Sequence, residues 1–259
     1  MKALVLVLSA AFCALADPMV DEHVALWSEG TALTTPKGRI EAGLASPWSW
    51  GLGNIREISS YVLYDALVPG LRFKQQWRAW SSVFIASTHS VYSLTPLLLL
   101  LRREGTGGII PPDNDIPVFI GTDSYVIATW RYSGVQYASV RLGARLNFGI
   151  GENTLESIDY FMAYPRTASC ISGYSMSAGI DLRGKVWKPV YYAVNSDLFL
   201  MPGMNGAWEY EQSGSLIWRY KNRLAVSAGA RYVAGEFPFG FDWMIFPLFD
   251  VRMGFGAGR

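Results

Sequence analysis

The side chains able to do chemistry are few, and their spacing argues against most kinds of it. The histidines are His23 and His89, and two residues beyond them stand Ala25 and Val91, so neither is followed by a serine at that distance on the same strand face. Ser90, next to His89, would point to the opposite face of a strand. A serine nucleophile also needs an imidazole oriented by a third group, and no carboxylate is identifiable in that role. Two histidines, Cys13, Cys170 and scattered carboxylates form no metal-ligand spacing. Gly51-Leu-Gly-Asn54 and Gly105-Thr-Gly-Gly108 read as turn glycines, outside any strand-to-helix phosphate cradle. The reading is therefore of no catalytic residue, no metal and no cofactor. What remains is charge at a period of two.

The elements that carry this charge read as strands. Ser124 to Tyr132 and Val135 to Phe148 form a hairpin joined by Ser133-Gly134. In the second run Ala138, Val140, Leu142, Ala144, Leu146 and Phe148 share one face, with Ser139, Arg141, Gly143, Arg145 and Asn147 on the other. A run of about 14 residues, against a usual strand of about 5 to 6, with arginines on its wet side, suits a strand that crosses a bilayer, apolar toward lipid and polar toward a lumen.

Composition agrees. Hydrophobic residues make up 51% and charged ones 17% of the chain, yet nothing after the N-terminus offers about 20 uninterrupted apolar residues. The nearest candidate, Val83 to Leu101, is broken by His89, several hydroxyls and Pro96. The apolar content has to be spread over short elements, as in a barrel. A net charge of +1 gives no reason to expect nucleic acid. Met1 to Ala16, with Lys2, an apolar run to Leu15 and Ala14-Leu15-Ala16, reads as a cleaved signal peptide, and its removal leaves Cys170 as the lone cysteine.

Along the rest of the chain, residues 17–38 read as an N-terminal tether or a short first strand, and residues 39–256 as the barrel. Strands are expected at Arg39–Leu44, Ile55–Tyr64, Leu71–Trp80, Val83–Leu94, the hairpin, Cys170–Arg183, Val186–Met201, Trp208–Tyr220, Leu224–Val233 and Phe246–Gly256, with a short one at Ile158–Tyr164. Ser46–Asn54 reads as a turn region. Short turns at Ser133-Gly134, Gly184-Lys185 and Lys221-Asn222 alternate with longer connections near 149–168, 202–206 and 234–242, as when one rim faces the periplasm. About 11 strands are clear, and single-chain bacterial barrels have even numbers, so the fold class expected is an all-β, transmembrane, antiparallel up-and-down barrel of about 12 strands, with 10 next. The missing strand is sought in Val20–Leu33 or around 82–120, and the long 102–116 loop is a candidate plug.

A resemblance supports this. Thr35-Pro-Lys-Gly-Arg-Ile-Glu-Ala-Gly-Leu44 with Trp50-Gly-Leu-Gly-Asn-Ile-Arg-Glu-Ile58, and later Thr95-Pro-Leu with Arg103 to Pro112, resemble segments of a group of largely uncharacterised outer-membrane β-barrel proteins of Gram-negative bacteria. The likeness covers about a third of the chain and departs at Asn54-Ile55, where that group has Thr-Asp. It implies an outer-membrane barrel and no reaction. The terminal alternation of Val251, Met253 and Phe255 resembles strands read by the barrel-assembly machinery, although Gly256 to Arg259 follow the aromatic residue.

The lumen wall expected from these patterns carries Arg72, Lys74, Arg78, Arg141, Arg145, Arg231 and Arg252 with Glu41, Glu57, Asp181, Glu209 and Asp250. Enclosed charges of mixed sign must pair or be hydrated. If they line water, the barrel is a narrow pore or carrier for small polar or amphipathic solutes. If they pair across the interior, it is a closed anchoring barrel. Other readings are a lipid hydrolase, which the histidine spacing disfavours, and a soluble periplasmic β-sandwich. The expected partners are outer-membrane lipids and, during insertion, the assembly machinery.

Overall fold

A computed structural model describes residues 28–80, 82–104, 108–133, 136–156, 158, 161, 163–221 and 223–256. Twelve antiparallel strands close into a barrel, each paired with its sequence neighbours and β1 with β12. They are β1 Ile40–Gly43, β2 Trp48–Gly51, β3 Arg56–Ser60, β4 Gly70–Trp80, β5 Val83–Tyr92, β6 Val118–Ser133, β7 Gln136–Ile150, β8 Tyr174–Trp187, β9 Val190–Leu200, β10 Trp208–Tyr220, β11 Leu224–Phe237 and β12 Gly240–Phe255. Three short helices join them: α1 Thr95–Leu101, α2 Tyr164–Thr167 and α3 Ser169–Ser172.

The barrel is inside out relative to a soluble one. Val126, Leu142, Leu146, Phe148, Ile180, Leu216 and Phe249 stand exposed on the outer surface. Their strand neighbours Thr129, Ser139, Asp181, Glu209 and Glu211 are buried on the inner one. The period-two pattern thus turns its apolar side away from the protein, and no second layer covers it among the described residues. No helix of the described chain is long and apolar enough to cross a membrane, a test that does not address strands.

Four expectations need correction. The twelfth strand lies in Trp48–Gly51, inside the supposed turn region, because β2 is only four residues long and pairs β1 at Ile40↔Trp50 and β3 at Trp50↔Ile58. The hairpin turn expected at Gly184-Lys185 sits at Lys188-Pro189 instead, and Gly184 is a strand residue opposite Tyr192. The Gln136 side chain lies in the space that a Cβ at Gly184 would occupy. The loop expected over 234–242 is a two-residue turn, since β11 continues to Phe237 and pairs β12 as far as Gly240, whose φ of +114° suits glycine. Finally, Tyr164 opens α2 where a strand was expected to end, and Cys170 lies in α3, which closes on Gly173 at φ +82°. The signal segment 1–16 and residues 17–27 of the N-terminal segment lie outside the described residues.

The connections sort by rim. Those after β2, β4, β6, β8 and β10 span 52–55, 81–82, 134–135, 188–189 and 221–223, and β1 begins and β12 ends at this rim. The opposite rim carries 61–69, 93–117, 151–173 and 201–207, with the four-residue connection 44–47 and the turn after β11 as its short exceptions.

Candidate functional site

The lumen is the site, and its inner wall is built by alternation. Each strand that places leucine or valine outside must place its odd neighbours inside, and those neighbours are mostly charged or hydroxylic. On β7 and β8, Arg141 meets Asp181 at 3.0 Å and Asp197 of β9 at 2.8 Å, and Asp181 also faces Arg183 at 3.2 Å. Toward the long-loop rim, Arg145 holds Asp123 of β6 at 2.6 Å. Glu211 of β10 takes Arg166 of α2 at 2.6 Å and Arg231 of β11 at 3.2 Å, with Glu209 wholly buried beside it. Toward the short-turn rim, Arg252 bridges Asp250 at 2.8 Å and Glu29 at 3.0 Å, and Glu41 pairs with Arg39 at 3.1 Å. Removing either partner of such an enclosed pair would leave a costly bare charge.

The interior is not empty. The segment Ser28–Pro36 runs inside the wall, with Thr31, Ala32 and Thr35 fully buried. Ala32 donates its backbone N–H to Thr129 Oγ1 at 2.7 Å, and Thr129 in turn meets Ser139 Oγ at 2.8 Å. Thr35 gives both its N–H and its hydroxyl to Glu57 Oε2, at 2.7 and 2.9 Å. Lys74, 3.7 Å from Glu57, donates to the carbonyls of Ser28 and Leu33. Leu33 packs in a small apolar cluster with Tyr137, Tyr191, Ile217 and Ala225 at the short-turn end. Glu29 accepts from Tyr61 at 3.3 Å, and Arg72 lies 5.4 Å over the ring of Tyr61. Gly30, at φ +72°, lets the segment pass Asp181 and Arg183, which a Cβ would meet at 2.9 and 2.8 Å.

From the other rim the 151–173 connection folds inward. Tyr164 is fully buried with Phe161, Ala168, Met201, Val233 and Phe237, its hydroxyl donating to the carbonyls of Asn205 and Gly206 at 2.6 and 2.7 Å. Arg145 reaches the Pro165 carbonyl at 3.2 Å. A second cluster of Leu94, Leu98, Ile110, Phe119, Leu155, Ile158 and Cys170 ties α1 and the 102–116 loop to this cap. Burial pushes the Cys170 thiol up to about 12.

Of the twelve wall candidates, Arg78 alone leaves the lumen. A register shift between Gln76 and Arg78 inserts Trp77 as an extra residue, so Arg78 falls opposite Ile85 and its guanidinium lies 5.5 Å over the exterior Trp80 ring. A bulge inverts alternation beyond it, which periodicity cannot foresee. Reading the alternation missed Asp123, because β6 starts at Val118 rather than Ser124, and Asp197 and Glu211, which share the inward face with Asn195 and Ser213. It also missed the 28–36 segment, whose only signal was its lack of pattern.

No protein-family model matches the chain, and the comparison with curated proteins finds no match. Among solved structures it is similar in fold to outer-membrane channels. The KdgM porin, solved with disordered oligogalacturonate, is 10% identical over 84% of this chain and 94% of its own, with a TM-score of 0.39. The DcaP channel of Acinetobacter baumannii is 8% identical over 95% and 69%, at 0.39. OccK11 (OpdR) of Pseudomonas aeruginosa is 9% identical over 84% and 57%, at 0.37. At such distances the barrel rests on its own strand pairing.

Proposed function

We propose that this protein is an integral outer-membrane barrel, a narrow pore or carrier for small polar or amphipathic solutes, held shut at rest by its own N-terminal segment. The apolar exterior suits lipid, the short-turn rim, where β1 begins and β12 ends, suits the periplasm, and a signal peptide would deliver the chain there. The observation that carries the gate is Ala32, fully buried in the lumen and tied to Thr129 of the wall. A barrel needed only as an anchor could fill its interior with wall side chains alone. Here the plug is a separable stretch of chain, attached by hydrogen bonds and ion pairs that can be remade with water.

The closed anchoring barrel is the second reading, favoured by the α2–α3 cap at the opposite rim. Planar-bilayer recording separates the two. Full-length protein is expected to show few or no steps, and deletion of residues 28–35 to produce discrete steps whose size changes with Arg141→Gln or Arg145→Gln. If the deletion variant, folded by its heat-modifiable gel mobility, conducts nothing, the pore reading fails and the anchor stands.

A further inference from the structure

The outer surface carries a polar constellation that lumen transport does not use. On β5, Ser87 and His89 share the outward face, His89 exposed and Ser87 buried among its neighbours on the outer wall, and strand pairing sets Ser124 of β6 directly beside His89. Ser87 Oγ lies 3.1 Å from His89 Nε2, and His89 Nδ1 lies 3.0 Å from Ser124 Oγ. Trp77, across on β4, donates its indole N–H to Ser87 Oγ at 2.8 Å. The sequence places a serine two residues before the histidine rather than after it, and the third group comes from a neighbouring strand.

One proton placement satisfies every contact: the Ser87 hydroxyl donates to Nε2, Nδ1–H donates to Ser124, and the indole N–H donates to Ser87. That is the arrangement of a nucleophile, its base and an orienting group. Polar groups on a lipid-facing wall are costly, so their presence asks for a use.

Depth and charge name the substrate. Ser87 lies four residues beyond the start of β5 at Val83, which on a tilted strand is about 10 Å from the short-turn rim. Trp77 and Trp130 stand exposed around it, at the level where aromatic rings meet lipid headgroups. Nearer the rim are two exposed guanidiniums: Arg56, which donates to Gln75 at 2.8 Å, and Arg78 over Trp80. Gln75 itself pairs with Ser87 across the strands. Cations at phosphate depth with a serine–imidazole pair just below match a glycerophospholipid, phosphate above and acyl ester beneath.

We infer that Ser87, His89 and Ser124 form a lipid-facing acyl-ester hydrolase site for glycerophospholipids. Ser87 Oγ attacks the ester carbonyl while His89 Nε2 takes its proton, and the oxyanion forms within reach of the Trp77 N–H. The ester C–O bond breaks and the lysophospholipid alcohol leaves with the proton from His89. Water then adds to the acyl-serine, His89 again relaying the proton, and a fatty acid departs with Ser87 restored. Ser124 is a positioning residue that fixes the imidazole tautomer.

The inference rests on the membrane reading and is independent of the gate. Full-length protein in vesicles of phosphatidylethanolamine and phosphatidylglycerol is assayed for fatty-acid release and for labelling by an alkyl fluorophosphonate. Ser87→Ala and His89→Ala are expected to lower release about 100-fold or more, in keeping with general-base contributions, and Ser87→Ala to abolish labelling. Ser124→Ala should lower kcat and shift its pH profile, with KM little changed. Heat-modifiable mobility checks that each variant is folded. Release and labelling that are absent from folded wild-type protein, or equal in Ser87→Ala, overturn the site; recovery of the protein without detergent would instead overturn the membrane reading.

Discussion

Lys74 and Glu57 are the pair on which the inner segment hangs, since between them they hold Ser28, Leu33 and Thr35. Both are almost fully buried, so truncating one leaves the other without a counter-charge. Lys74→Met is expected to destabilise the folded barrel by about 3 kcal/mol or more, read as a lowered denaturant midpoint in detergent micelles. Cys170 gives a second test at this scale. With its thiol enclosed by α3 and its acidity suppressed to about 12, less than one part in about a thousand is thiolate at pH 8. A thiol reagent should leave it unmodified in folded protein and modify it on unfolding; rapid modification of the native barrel would refute the packing of the cap. At this scale the sequence was legible where alternation held, at Arg141, Arg145 and Asp181. It was illegible at Arg78, where one bulge reverses the faces, and at His89, whose partners needed the pairing of β4, β5 and β6 to find.

Three of the wall elements are too short for their task alone. β1, β2 and β3 have 4, 4 and 5 residues, against about 9 to 11 for a strand that crosses the hydrocarbon. Behind them runs the inner segment: Gly38 donates to the Gly51 carbonyl at 2.9 Å, and Gly51 to Arg39 at 3.1 Å. Gly51 admits this second layer only because it lacks a side chain, for a Cβ would stand 2.0 Å from the Pro36 carbonyl oxygen. Gly51→Ala is therefore expected to push the segment off the wall and raise conductance toward that of the 28–35 deletion, with the barrel still heat-modifiable; an unchanged, silent variant would mean the segment adapts in place. The same elements explain why the strand count stopped at eleven. Trp48–Gly51 does alternate, but four residues hold too few repeats to stand out from a turn rich in glycine and tryptophan. Long strands such as β6, β7 and β12 declared themselves because many repeats average out the exceptions.

On the scale of the whole molecule, an apolar outside, a charged inside and sorted connections form one consistent design for a bilayer. The barrel class and its outward apolar set could be read before any coordinates, since they follow from repetition along strands. The plug could not, because what fills a lumen depends on where a patternless segment goes once the wall has closed around it. The most direct measurement is a disulfide between Ala32→Cys and Thr129→Cys, made in a Cys170→Ala background, at the site where the segment's N–H meets the wall hydroxyl at 2.7 Å. Oxidation of the membrane-inserted protein should form the bond in nearly every molecule and leave planar bilayers silent, with steps after reduction no more frequent than those of full-length protein. Failure of the two cysteines to join in a folded, heat-modifiable barrel would contradict a lumen closed by its own chain.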